Sequence, residues 1–272
     1  MKNLFETVAD TVRAGERSAL VIVIRTVGSV PRKVGTKMLI RVDGTTVGTI
    51  GGGELEKRVK DEALKAIAQR EPRIVSFTLD REKGKLDMMC GGEIDFYIEP
   101  ILPEARLVVF GAGHITRALA PLMQKAGFQV SVVDDSAELL QKEAFPGVDD
   151  LIMDDMERVA RDLPPGPDTY VVLLTRGFSR DKAVLRGLLG KGYPYVGMIG
   201  SLRKIVSMLE ELRSEGQPDE AFSRLCAPIG LDIGAETPEE IALSIAAEIV
   251  AVKKGKLDPA QKQRLREAHV GS

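Results

Sequence analysis

Residues 106–135 read as a strand, a glycine turn, an amphipathic helix, a second strand and an acidic end. That order confines the segment to a parallel βαβ unit, because a buried strand followed by a crossover helix returns to the same sheet with one hand. Leu107, Val108, Val109 and Phe110 form an unbroken apolar run, as expected of a strand covered on both faces. Gly111 and Gly113 permit a tight turn and let a ligand approach the backbone. Ile115, Leu119, Leu122 and Ala126 recur at helical spacing and predict one apolar face. The free N–H groups of such a helix favour phosphate, and Asp134 stands where an acidic side chain commonly accepts a ribose hydroxyl. Thr116 occupies the last position of the fingerprint, where a small residue is usual, and His114 lies inside the turn.

The 272 residues suit two domains, each large enough for its own core. A net charge of −2 argues against a broad nucleic-acid surface, and the absence of Trp argues against a base-stacking platform. The expectation is a cytoplasmic protein without nucleic-acid or membrane partners: no apolar run approaches a membrane span and no signal-peptide core stands at the N-terminus. Two cysteines, Cys90 and Cys226, make no disulfide framework, and with His114 and His269 they cannot supply the spaced pairs of a structural zinc site.

In the first part of the chain, residues 3–15 predict a helix with Leu4, Phe5, Val8 and Val12 on one face. Residues 18–27 predict a buried strand, and residues 37–42 and 45–50 a hairpin turning at Asp43-Gly44. A helix at 54–69 and strands at 73–79 and 93–99 follow. Pro100 and Pro103 mark a boundary, placing a mixed α+β domain at 1–102 and a Rossmann-like parallel-sheet domain at 103–255. The second domain is expected to carry strands at 107–110, 129–133, 149–153, 170–174 and 194–199. Its helices are expected at 114–126, 181–190, 201–215 and 238–252, with a polar tail at 256–272.

Several places carry candidate chemistry. Gly51-Gly52-Gly53 joins a strand to a helix, so Gly52 and Gly53 suit an anion nest, and a tight connection explains them equally well. Cys90 precedes two glycines, and a thiolate there could ligate a soft metal or attack an electrophile, whereas a small buried hydrophobe is the plainer reading. Cys226 reads as packing. Arg176 and Arg180 flank the turn after the strand at 170–174, on the carboxyl edge where open α/β sheets bind ligands, and Gly200-Ser201 opens a helix on that edge. Thr237-Pro238-Glu239-Glu240 is explained by helix capping.

Six segments occur in one order: Gly28-Ser29-Val30-Pro31-Arg32, Gly51-Gly52-Gly53-Glu54-Leu55-Glu56, Met89-Cys90-Gly91-Gly92, Gly111-Ala112-Gly113-His114, Tyr195 through Ser201 with Lys204, and Ile229 through Ala242. Together they closely resemble the XdhC/CoxI family, accessory factors of xanthine dehydrogenase and related molybdenum hydroxylases, over residues 5–252. The resemblance implies an XdhC/CoxI-type first domain and a Rossmann-like XdhC second domain. It implies a cofactor chaperone sooner than a catalyst, one that binds molybdenum cofactor, protects it while its terminal sulfur is installed, and delivers it to the apoenzyme. A cofactor sulfurase and a second copy of the chain are the further partners it implies. Cofactor contacts would then fall on Gly111, Gly113, His114, Asp134, Cys90, Gly52, Gly53, Arg176, Gly200 and Ser201, with Cys90 as a molybdenum ligand. Family members often carry a histidine in the segment 175–181, where this chain has Phe178, and its Thr175-Arg176-Gly177 start resembles a branch near selenium-dependent hydroxylases. Two other readings use the same turn: an NAD(P)-dependent oxidoreductase, and a regulatory subunit that senses a nucleotide.

Overall fold

The computed structural model describes residues 3–79 and 92–260. It divides into two compact units, residues 1–103 and 104–272.

The first unit is a five-stranded antiparallel sheet carrying two helices. Its elements are α1 (Leu4–Arg13), β1 (Ser18–Gly28), β2 (Lys37–Arg41), β3 (Thr46–Gly48), α2 (Gly53–Gln69), β4 (Arg73–Leu79) and β5 (Gly92–Ile101), with sheet order β3-β2-β1-β5-β4. The central strand β1 pairs with both β2 and β5. Ala19, Val21 and Val23 alternate onto one face and meet Leu55, Val59, Ala63 and Ala66 of α2, which forms the core. The hairpin at Asp43-Gly44 forms as expected: the Asp43 carboxylate accepts from the Thr45 N–H at 2.8 Å, which holds the turn. Strand β3 is shorter than its apolar pattern suggests. Helix α1 buries Thr11 and partly covers Leu4 and Val8, while Phe5 and Val12 stay exposed, so its covered face is rotated from the predicted one.

The second unit is a six-stranded parallel sheet. It contains β6 (Ala105–Phe110), α3 (His114–Lys125), β7 (Phe128–Asp134), β8 (Asp150–Met153), α4 (Met156–Asp162), β9 (Thr169–Leu173), α5 (Phe178–Leu188), β10 (Tyr195–Met198), α6 (Leu202–Ser214), β11 (Leu225–Cys226) and α7 (Pro238–Lys253). The order β11-β10-β9-β6-β7-β8 is the doubly wound dinucleotide-fold order, with its reversal between β6 and β9. Leu107 and Val109 face a core shared with α3 and α7, and Val108 and Phe110 face one shared with α4, α5 and α6. Two covered faces explain the unbroken apolar run of β6.

The buried stripe of α3 is Thr116, Leu119, Ala120 and Met123. It is shifted from the predicted Ile115, Leu119, Leu122 and Ala126, because the Thr116 hydroxyl turns inward to donate to the Gly111 carbonyl. Leu122 is left exposed. Helix α5 starts at Phe178, three residues before the predicted 181, with Gly177 as its N-cap. No helix among the described residues is long and apolar enough to cross a membrane.

Candidate functional site

The switch point of a doubly wound sheet leaves a crevice at the carboxyl ends of its two diverging strands, here β6 and β9. The two glycines after β6 do different work there. Gly111 has φ +105, and a Cβ on it would lie 2.6 Å from the Leu174 carbonyl oxygen. It lets the turn press against the chain leaving β9. Gly113 has an extended backbone with φ −77, and a Cβ there would meet nothing within 4 Å. The space over Gly113 is therefore open at the start of α3.

Helix ends sort by how they are closed. Helices α1, α4, α6 and α7 are capped by the side chains of Asn3, Asp155, Ser201 and Thr237. Helix α2 of the first unit has no side-chain cap at Gly52, and in the second unit helices α3 and α5 begin at Gly113 and Gly177 with none. These are the two helices that follow β6 and β9. Their first N–H groups converge on the switch point as donors without a side-chain partner, and the first turn of α3 holds no acidic residue. His114 and Arg176 are exposed there. The His114 ring forms no hydrogen bond with the described residues.

Asp134 closes the back of the turn. It is buried; one carboxylate oxygen accepts from the Ala112 N–H at 2.7 Å and the other from the Ser136 N–H at 2.9 Å. In this state it works as a clamp on the glycine turn, and a ribose hydroxyl would have to share those oxygens. The neighbouring Asp135 is exposed and pairs with Arg180 at 2.9 Å.

Sequence reasoning missed a buried group at this edge. Asp181 is 1% exposed; the Thr175 hydroxyl donates to one of its oxygens and the Lys204 ammonium to the other. Burial raises the Asp181 pKa, and the hydrogen bond and charge of Lys204 act against that rise. The cluster ties the chain after β9 to α5 and α6. Thr175 and Lys204 stood in quoted motifs, but nothing local marked Asp181 as their common partner. Phe178, the first residue of α5, is partly buried against the core shared by α4, α5 and α6.

Gly200 and Ser201 lie at the same edge, after β10. The Ser201 hydroxyl accepts from the Lys204 N–H at 3.4 Å, so its present role is to cap α6. Beside it a groove of about 570 Å³ runs between Ile199, Leu202, Ile229 and Ile241, with Asp232 and Ser244 among its lining residues. Its floor rests on a buried carboxylate. One Glu248 oxygen accepts from the Tyr195 hydroxyl at 2.8 Å and the Gly230 N–H at 3.1 Å. Cys226 is buried in the α3–α7 core, which agrees with packing.

In the first unit three motifs meet at one end of the sheet. Gly28 pairs with Gly92. A Cβ on Gly92 would lie 2.5 Å from the Ser29 carbonyl oxygen, and one on Gly51 would lie 2.7 Å from the Pro31 ring. The glycines are thus needed for close packing of three chain segments. The Gly52 N–H donates to the Glu56 carboxylate at 3.1 Å, and the Thr49 hydroxyl donates to the same oxygen at 2.9 Å. An internal carboxylate thereby takes the Gly52 amide that the sequence offered to an outside anion. The exposed Gly53 opens α2 beside Glu54 and Glu56, two negative charges in the first turn. Cys90 lies outside the described residues. Among the described residues no group of three or more His, Cys, Asp or Glu side chains is arranged to hold a metal ion.

A doubly wound domain with an open glycine turn defines a nucleotide-fold protein. The family of the XdhC Rossmann domain matches residues 107–249, and the XdhC and CoxI family matches residues 11–78. The chain belongs to the XdhC and CoxI family. It is 36% identical over 253 residues to the uncharacterized protein YqeB of Escherichia coli, covering 92% of this chain and 46% of that protein. The chain thus spans about half the length of that relative. It is 21% identical over 302 residues to the molybdenum cofactor insertion chaperone PaoD of Escherichia coli, covering 93% of this chain and 88% of that protein. Among solved structures it is similar to a xanthine dehydrogenase from Bacillus halodurans, with TM-score 0.52 and 25% identity over 93% of this chain and 96% of that one.

Proposed function

We propose that this chain is an accessory factor that binds molybdenum cofactor and delivers it to a molybdenum hydroxylase of the xanthine dehydrogenase type. Membership of the XdhC and CoxI family carries the reading, and the near full-length likeness to a molybdenum cofactor insertion chaperone supports it. The chemistry of the switch point suits one end of that cargo. A pyranopterin carries a phosphate, and uncapped N–H groups above an open Gly113 are donors of the right kind for it. Exposed Arg176 and His114 add donors at the rim. Cys90, in its Met-Cys-Gly-Gly setting, is assigned to the soft metal–sulfur end. A homodimer, a cofactor sulfurase that charges the bound cargo, and a cytoplasmic location complete the reading.

The dinucleotide alternative is less well served. Both Asp134 oxygens already accept backbone N–H groups, so the acceptor that would read a ribose is engaged in holding the turn. The test is the small molecule retained by the full chain when it is produced in a molybdenum-replete host. A fluorescent oxidised pterin together with stoichiometric molybdenum is expected, and transfer to a client apoenzyme should restore its activity. A nicotinamide dinucleotide in place of a pterin would overturn the reading.

A further inference from the structure

The groove beside β10 and β11 belongs to none of the roles assigned so far, and the segment lining it, Ile229 to Ala235, is the motif that capping does not explain. Its volume of about 570 Å³ falls within the range of small-molecule sites. Ile199, Leu202, Ile229 and Ile241 give it apolar walls, and among the described residues Asp232 is the single ionisable one lining it. Asp232 is exposed and forms no hydrogen bond or ion pair with the described residues. The loop is also held in place at some expense. Glu248 is fully buried, a carboxylate's least favourable setting, and it spends one oxygen on the Gly230 N–H and the Tyr195 hydroxyl. A Cβ on Gly230 would lie 2.4 Å from the Ser244 hydroxyl oxygen, so the loop is drawn tightly onto α7.

The groove is lined from α7, which packs with α3 on one face of the sheet, and both helices start at the carboxyl edge. Strand β9 separates β6 from β10, and β11 lies beyond β10, so the Gly113 turn and the groove are about two to three strand spacings, or about 10–15 Å, apart along that edge. A fused-ring molecule carrying a phosphate on a short arm can reach both.

We propose that this groove holds the flat ring of a 2-amino-4-oxo-pyrimidine-type heterocycle, with Asp232 accepting its amino and ring N–H groups as a pair. The proposal rests on the functional reading above and deepens it by naming the part of the cargo that the groove reads. Apolar walls cover the ring faces, and a carboxylate matches two parallel N–H donors on one edge of such a ring. Pterins and guanine share this edge, and lumazine, with an oxo group in place of the amino group, does not.

The experiment uses the whole 272-residue chain from a host that cannot make molybdenum cofactor. Calorimetry would measure binding of 6-hydroxymethylpterin, lumazine and guanosine, none of which carries a phosphate. The pterin should bind at least tenfold more tightly than lumazine, and Asp232→Asn should remove that preference while leaving the melting temperature unchanged. Guanosine binding as tightly as the pterin would support the edge recognition and widen the ligand class to purines. Gly113→Val should leave pterin binding intact, because the probe has no phosphate to lose. Equal affinity for pterin and lumazine, or an unchanged preference in Asp232→Asn, would overturn the proposal. Loss of the functional reading is separable. No cofactor retained from a molybdenum-replete host, with Asp232-dependent discrimination intact, supports the ring site on its own. Retained cofactor without discrimination overturns the ring site and leaves the function standing.

Discussion

Adding one methyl group to each of two glycines two residues apart should destabilise the fold at one and leave it unchanged at the other. Gly111 has φ +105, a region that costs an L-residue about 1–3 kcal/mol. Its new Cβ would also lie 2.6 Å from the Leu174 carbonyl oxygen and 3.0 Å from the Thr175 nitrogen, both backbone atoms that cannot swing aside. Overpacking of this kind adds about 1–3 kcal/mol. Gly111→Ala should therefore lose about 4 kcal/mol, which for a domain of this size is a fall of roughly 8–16 °C in the melting temperature of the second unit. At Gly113 the backbone is already extended with φ −77, and nothing lies within 4 Å of a Cβ. Gly113→Ala gains about 0.4–1 kcal/mol from a stiffer unfolded chain. It gives back a similar amount because Ala is a poorer N-cap than Gly. Its melting temperature should stay within about 2 °C of the parent. Differential scanning calorimetry of the full chain decides the matter. Equal melting shifts for the two variants, or a larger loss at Gly113, would refute the division into a structural and a ligand-facing glycine. Gly113→Val should then lose the copurifying ligand while keeping its fold.

Lys204→Met leaves Asp181 buried without its cation and should cost about 3 kcal/mol at pH 7. Burial raises the Asp181 pKa in the folded state, so that variant should recover stability as the pH falls toward the ordinary carboxylate value of 3.8 and the carboxyl takes up a proton; urea midpoints that show the same penalty at pH 7 and at about pH 4 would refute the assignment. Tyr193 donates to the Leu163 carbonyl at 2.8 Å, and burial pushes its pKa up to about 12 from 10.0. The fold keeps this proton where the unfolded chain loses it, so the contribution is complete below pH 10 and disappears between pH 10 and 12. Tyr193→Phe should flatten that part of the stability–pH curve, and an unchanged slope would count against it. Cys90→Ser should lower molybdenum retention at least tenfold with the fold intact, measured by metal analysis of purified protein. Cys226→Ser, in the buried core, should cost about 1 kcal/mol of stability and leave retention unchanged.

Local pattern carried the elements whose cause is local. The apolar run of β6, the turn at Gly111, the hairpin at Asp43-Gly44 and the Thr237 cap of α7 each depend on residues within one or two turns of chain. The family could be read from motif order, because six short segments in sequence need no tertiary information. Two short elements were missed. Helix α4 spans only seven residues and β11 only two, too few for a period to show. Beyond the hairpin of β2 and β3 and the βαβ unit of β6 and β7, strand order could not be read. That β5 sits between β1 and β4, and that β9 sits beside β6, is set by register between segments far apart in the chain.

The site divides in the same way. The sequence by itself marked Gly111, Gly113, His114, Arg176, Gly200 and Ser201 as residues of one sheet edge, since each follows a strand. What each of them does was decided only in three dimensions. Gly111 is pressed on Leu174, Asp134 clamps Ala112, Glu56 takes the Gly52 amide, Asp181 joins Thr175 to Lys204, and Glu248 props the loop at Gly230. A pattern reports which face a residue lies on. A hydrogen bond or a close approach depends on the position of a second residue far along the chain, 53 positions away in the case of Tyr195 and Glu248, and only the folded chain brings the two together.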